Sequence, residues 1–243
     1  MFISIPWGLN SSKVGTFALF GGGYNSSALS TTSIYTYSSN TASAGGNLSY
    51  TVESLAAAGN STLGVFGGGD NTSNSLSNTS IYTYSSNTAS AGGNLSYTAS
   101  QNAAAGNSTL GVFGGGYNSS ALSTTSVYTY SSNTAVAGGN LSYSTSALAA
   151  AGNSTVGVFG GGSGPISTTS IYTYSSNTAS AGGNLSYSTQ KLAAAGNSTL
   201  GVFSRNDTSN TSIYTYSSNT ASAGGNLSYT ASQNAAAGNS TLG

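Results

Sequence analysis

LAAAGNSTLGVFGGGDNTSNSLSNTSIYTYSSNTASAGGNLSY, residues 55–97, decides the fold, because the chain writes it, whole or in part, five times over. The IYTY or VYTY block begins at Ile34, Ile81, Val127, Ile171 and Ile213, so the period falls from 47 residues to 42. A repeat of that length holds four short strands and their turns, which is the content of one propeller blade. Five copies within 243 residues therefore imply one closed array. The expected domain is a single unit, 1–243, with residues 1–12 an irregular N-terminal extension.

Within one repeat, Leu55 to Ala58, Leu63 to Phe66, Ser80 to Tyr84 and Thr88 to Ala91 each have strand length. Gly59-Asn60, Gly67-Gly68-Gly69 and Ser85-Ser86-Asn87 separate them, the triple glycine reading as a flexible connection. Ile81 and Thr83 point to one face and Tyr82 and Tyr84 to the other, so both faces carry bulk, as a blade between two neighbours requires. Ala and Gly form strands poorly, and the Ala-Ala-Ala-Gly run makes sense where copies crowd a shared axis and only small side chains fit.

The fold class that follows is all-β: a five-bladed β-propeller of four-stranded antiparallel blades. The repeats start and stop out of phase. The chain begins its first copy at the second strand, Phe17 to Phe20, and ends on AAAGNSTLG. Pairing of 235–238 beside Phe17 to Phe20 would close the ring by joining N- and C-terminal strands in one blade. The alternative makes residues 2–5 a degenerate inner strand and leaves the last copy spare.

Only three basic residues (Lys13, Lys191, Arg205) and three acidic ones (Glu53, Asp70, Asp207) occur, so no cationic stripe exists to neutralise a phosphate backbone. Nucleic acid is not an expected partner. No stretch is apolar for long enough to span a bilayer. With neither Cys nor His, the sequence offers no disulfide, no thiolate or imidazole metal site and no expected cofactor. Near-zero charge also removes colloidal repulsion, which makes self-association an expectation.

Because the repeats are near copies, their differences are informative. One variable segment follows the second strand, beginning YNSSALSTTS at 24 and DNTSNSLSNTS at 70; the other precedes the inner strand. In an up-and-down blade both connections emerge on one side, and the constant GNST and SSNT turns on the other. That variable side collects Glu53, Asp70, Lys191, Arg205 and Asp207. Tyr24 with Asn25, and Tyr117 with Asn118, are candidate sugar-stacking and hydrogen-bonding pairs, and Asp70, Arg205 and Asp207 complete the candidate ligand-binding set. Asp207 reads as a surface pair with Arg205 or as a turn residue. The acids fall in different repeats, so no general acid–base pair is expected and the protein reads as no enzyme.

GVFGGG, a loop, IYTY, a polar turn and a short edge strand resemble the kelch repeat, and above all low-charge bacterial kelch-like arrays. The resemblance runs from about Phe17 to the end and implies a propeller of four-stranded blades. It departs from the family on the outer strand, where Ser43, Ser90, Val136, Ser180 and Ser222 stand in place of the usual Trp, and at Ser204-Arg205-Asn206 in place of the triple glycine. Some kelch-type propellers are copper oxidases. Their site needs His ligands and a Cys-modified Tyr, neither of which this chain contains.

Asn-X-Ser/Thr sequons recur at NLS (Asn47, Asn94, Asn140, Asn184, Asn226) and NST (Asn60, Asn107, Asn153, Asn197, Asn239). Both sets read first as turn asparagines; glycosylation would dress the constant face and imply secretion. The functional expectation is a non-enzymatic interaction or structural module that binds a protein or glycan partner through the variable-loop face, in an extracellular or virion-surface setting. The alternative is a self-assembling surface-layer or filament component.

Overall fold

A computed structural model describes residues 3–4, 16–71, 74–230 and 236. In blade 2 the strands are Ala56–Gly59, Leu63–Gly67, Thr79–Thr83 and Thr88–Ala91. They are antiparallel neighbours in that order, with Ala57 opposite Phe66, Phe66 opposite Ser80 and Ser80 opposite Ala91. The same four-strand order recurs in all five four-stranded sheets, inner strand to outer. Each boundary lies within one residue of the pattern reading. The inner strands Ala56–Gly59, Ala103–Gly106, Ala149–Gly152 and Ala194–Gly196 touch in succession around the axis, which makes the array a five-bladed propeller.

The hub is built as the small residues demand. Ala56, Ala57 and Ala58 are each 2% exposed, and Ala151 is fully buried. A Cβ placed on Gly111, in the second strand of blade 3, would lie 2.8 Å from the Ala58 Cβ of blade 2. Gly157 meets Ala105 in the same way at 2.9 Å. At that spacing a single added methyl group forces the blades apart.

Farther from the axis, bulk replaces smallness. Ala56, Ala58 and Val65 of blade 2 pack with Phe113 and Tyr128 of blade 3, and Leu95 of the connector closes the cluster. Burial of each such large side chain contributes about 1.5–3 kcal/mol. Polar bonds stitch the same interfaces: Gly46 N–H donates to the Tyr82 hydroxyl at 3.0 Å, and Ser49 N–H to Ser80 Oγ at 3.0 Å. The Tyr82 hydroxyl in turn bonds Asn87 Oδ1.

Constant turns owe their constancy to side chains. Asn60 Oδ1 accepts from Thr62 N–H at 2.9 Å, Thr62 Oγ1–H at 2.8 Å and Leu63 N–H at 3.1 Å. Its Nδ2 donates across the blade boundary to the Ser108 carbonyl at 3.0 Å. Asn107 and Asn153 repeat the arrangement, donating to Ser154 and Ser198. The described NST asparagines therefore serve turns, as read from the sequence. Those of the NLS motif do not: Asn47, Asn94, Asn140 and Asn184 lie exposed on the connectors between blades.

Two expectations need correcting. Beside Phe17–Gly21 the inner place is held by Ile3–Ser4, with Ile3 opposite Gly21 and Ser4 opposite Phe20. The expected closing segment 235–238 lies outside the described residues apart from Ala236, and at Gly21 and Phe20 the N-terminal alternative applies. The triple glycine, too, is not slack. Gly69 has φ +90, and a Cβ there would sit 2.4 Å from Val52 Cγ2 and 2.5 Å from the Glu53 carbonyl. Glycine permits this close crossing of two connections.

Candidate binding face

At the variable end, the segments leading into the inner strands of blades 2, 3 and 4 are gripped by the loops of both flanking blades through main-chain bonds. Val52 bridges to Leu29 of blade 1, while the adjacent Glu53 bridges to Asp70 of blade 2. Ala99 accepts from Gly69 N–H at 2.8 Å and donates to the Leu76 carbonyl at 3.1 Å, and Ser100 pairs with Tyr117. Thr145 pairs with Leu122 and accepts from Gly116 N–H at 2.8 Å. The two kinds of variable segment thus form one continuous belt of backbone.

Nearest the axis the belt continues from blade to blade. Ser54, Gln101, Ala147 and Lys191 occupy equivalent positions, and all are left-handed, with φ of 54, 54, 55 and 52. Gln101 N–H donates to the Ser54 carbonyl at 2.7 Å, Ala147 N–H to Gln101 at 3.0 Å, and Lys191 N–H to Ala147 at 2.8 Å. Among the described residues, one residue from each of blades 2 to 5 thereby joins a hydrogen-bonded chain around the axis. Each pays on the order of 1 kcal/mol for a conformation that glycine would adopt freely, yet none is glycine. Sequence reasoning missed this run, because nothing in Ser, Gln, Ala or Lys signals a positive φ.

Among the candidate residues, Tyr24 is 54% exposed and Tyr117 44%. Both sit in hairpins turned by left-handed serines, Ser26 and Ser119. Asn25 N–H bonds the Ser27 carbonyl at 3.0 Å, and Asn118 Nδ2 is spent on Thr98 Oγ1 at 2.7 Å. Blade 2 touches the Tyr117 loop through Ser75 Oγ–H, which donates to the Tyr117 carbonyl at 3.0 Å. The Arg205 guanidinium lies 5.7 Å from the centroid of the Tyr187 ring, a cation–π contact. Burial, relieved in part by a main-chain bond and by Arg205, pushes the Tyr187 hydroxyl up to about 12. Asp207 has φ 59 and accepts from Asn206 Nδ2 at 2.6 Å, so it is a turn residue.

Asp70 has a partner that the sequence reading did not pair with it. Glu53 and Asp70 exchange main-chain bonds, Glu53 N–H to the Asp70 carbonyl at 3.0 Å and the reverse at 2.9 Å. Their side chains meet as well. Burial first, then the charge of Asp70 and a hydrogen bond to it, hold the Glu53 carboxyl above the usual carboxylate range. Continuing the register of Ala56 opposite Gly67 outward by three residues lands on this pair, so the signal was present once strands were assigned. The expectation that the acids lie apart is corrected for these two.

No protein-family model matches the chain, and no curated protein matches it. Among the described residues no cluster of three His, Cys, Asp or Glu side chains could hold a metal ion, and no helix is long and apolar enough to cross a membrane.

Proposed function

We propose that the chain is a non-enzymatic, kelch-like interaction module that recognises a protein or glycan partner through its variable-loop face. The observation that carries this reading is the belt itself. Main-chain bonds carry most of its contacts, and it displays exposed aromatic rings at Tyr24 and Tyr117. A scaffold of that kind can change specificity without changing fold. Tyrosine suits both partner classes, since one ring stacks on a sugar or a peptide and its hydroxyl still reaches a hydrogen-bond partner. Glycan and peptide arrays probed with the purified chain would find the ligand class. The Tyr24→Ala/Tyr117→Ala variant is expected to bind any hit about tenfold or more weakly, equivalent to roughly 1.4 kcal/mol; unchanged affinity overturns the reading.

A second reading, self-assembly, is favoured by the outer strands. Thr41–Ala44 is exposed along its whole length, and its counterparts nearly so, with no charge, proline or bulge on any of them. Unprotected edges of that kind pair with other edges. Light scattering that stays flat as concentration rises would remove this reading.

A further inference from the structure

The two sequon sets, alike in sequence, are chemically different in the folded protein. The described NST asparagines, Asn60, Asn107, Asn153 and Asn197, are half-buried, and each Oδ1 accepts three hydrogen bonds within its own turn. The Nδ2 of Asn60, Asn107 and Asn153 is also committed, to the next blade. By contrast Asn47, Asn94, Asn140 and Asn184 are exposed. Among the described residues none of these four side chains is held by a hydrogen bond. The motif around them is nonetheless well anchored: the following leucines, Leu48, Leu95, Leu141 and Leu185, are each 4% exposed. The Ser49, Ser96, Ser142 and Ser186 N–H groups bond serines of the next blade at 3.0 to 3.1 Å. Each of these four repeats thus holds an anchored, outward-facing Asn-Leu-Ser with a free carboxamide, whereas in the fifth Asn226 Oδ1 accepts from Asn210 Nδ2 at 3.3 Å.

Position adds a second argument. Asn47 follows the outer strand Thr41–Ala44 by three residues, and its equivalents stand in the same relation to Thr88–Ala91, Thr134–Ala137 and Thr178–Ala181. These are the edges that lack any protective charge, in a chain whose charged fraction is 2%. A bulky hydrophilic group on each such asparagine would cover the adjoining edge and supply the solubility that charge does not.

We propose that Asn47, Asn94, Asn140 and Asn184 are acceptor sites for N-linked glycans that ring the propeller rim and block edge-to-edge pairing. In the transfer, Nδ2 forms a bond to the anomeric carbon of a lipid-linked oligosaccharide as that carbon's bond to the lipid pyrophosphate breaks. The pyrophosphate leaves with the electron pair, and the amide gives up one proton to the transferase. This reading is independent of what the variable loops bind.

The test is to secrete the full chain from cultured animal cells alongside a control glycoprotein, remove glycans enzymatically in heavy-oxygen water and map the labelled aspartates. Label at the four NLS positions is expected. Bare NLS sites beside a modified control overturn the proposal, whether or not NST sites are modified. A Ser49→Ala/Ser96→Ala/Ser142→Ala/Ser186→Ala variant removes the acceptor signal while keeping the asparagines and the main-chain bonds. It is expected to show unchanged β-sheet circular dichroism and to associate at a several-fold lower concentration. Association identical to that of the glycosylated chain overturns the shielding role.

Discussion

The two ends of this propeller are built from the same blades on opposite rules. At the constant end, architecture is written in side chains: Asn107 Oδ1 collects Thr109 N–H, Thr109 Oγ1–H and Leu110 N–H, and Nδ2 reaches the next blade. At the variable end it is written in backbone, as in the run of bonds joining Ser54, Gln101, Ala147 and Lys191. A turn that needs one particular carboxamide keeps its sequence. A connection held by N–H and C=O alone leaves its side chains free, and that freedom is what a binding face requires.

The largest expected effect is alkaline unfolding, which draws on buried tyrosines at both ends: Tyr97 and Tyr143 donate to the Gly115 and Gly161 carbonyls of the triple glycines, while Tyr130 packs beside Gly106 at the constant end. Burial raises the hydroxyls of Tyr130 and Tyr174 above the ordinary tyrosine value, and those of Tyr97 and Tyr143 likewise. Such a group holds its proton more tightly folded than unfolded. Its stabilising contribution is complete below the unfolded value of about 10, and is lost as pH rises through the folded one. Each group costs up to about 1.4 kcal/mol per pH unit in that window. Beyond the phenolate of exposed tyrosines such as Tyr24 and Tyr117, tyrosinate absorbance and β-sheet ellipticity are expected to change together above about pH 10; phenolate from all 17 tyrosines with the sheet intact would show these side chains open to solvent.

Substitution at single positions sharpens the contrast. Asn107→Ala removes four hydrogen bonds and is expected to cost about 2–4 kcal/mol in denaturant unfolding. Gln101→Ala, at the variable end, leaves every main-chain bond of the belt in place and is expected to stay within about 0.5 kcal/mol. Equal losses at the two positions would break the comparison.

The contrast also explains which parts of the structure were legible. Repetition exposed the strands, and the small-residue run exposed the hub, because both depend on residue type: a Cβ at Gly111 meets Ala58, and the sequence has glycine there. Features held by backbone left weaker marks. The left-handed chain has no residue signature, and Ile3–Ser4, which resembles no other inner strand, could be read only as an alternative. The Glu53–Asp70 pair falls between these cases, invisible as a motif and visible by extending the register. On the candidate face the aromatic residues were found directly, whereas the use of Asn118 Nδ2 within its own neighbourhood required coordinates.

The smallest expected effect separates the two tyrosines of one IYTY block. In blade 2 the first, Tyr82, is fully buried and bonded at its hydroxyl by Gly46 N–H, with Asn87 Oδ1 as acceptor. In blade 3 the second, Tyr130, is buried beside Gly106 and Gly111, and its hydroxyl has no hydrogen-bond partner. The same side chain two residues apart in the repeat thus serves in one place as a rim bond and in the other as a filler of the space that glycines leave near the hub. Tyr82→Phe removes a satisfied buried hydroxyl and is expected to destabilise by about 1–2 kcal/mol. Tyr130→Phe keeps the ring, removes a desolvated group that bonds nothing, and is expected to be neutral or to stabilise by up to about 1 kcal/mol. Loss of stability by Tyr130→Phe equal to that of Tyr82→Phe would mean that the hub hydroxyls are bonded in solution, and that the constant end uses every side-chain polar group it buries.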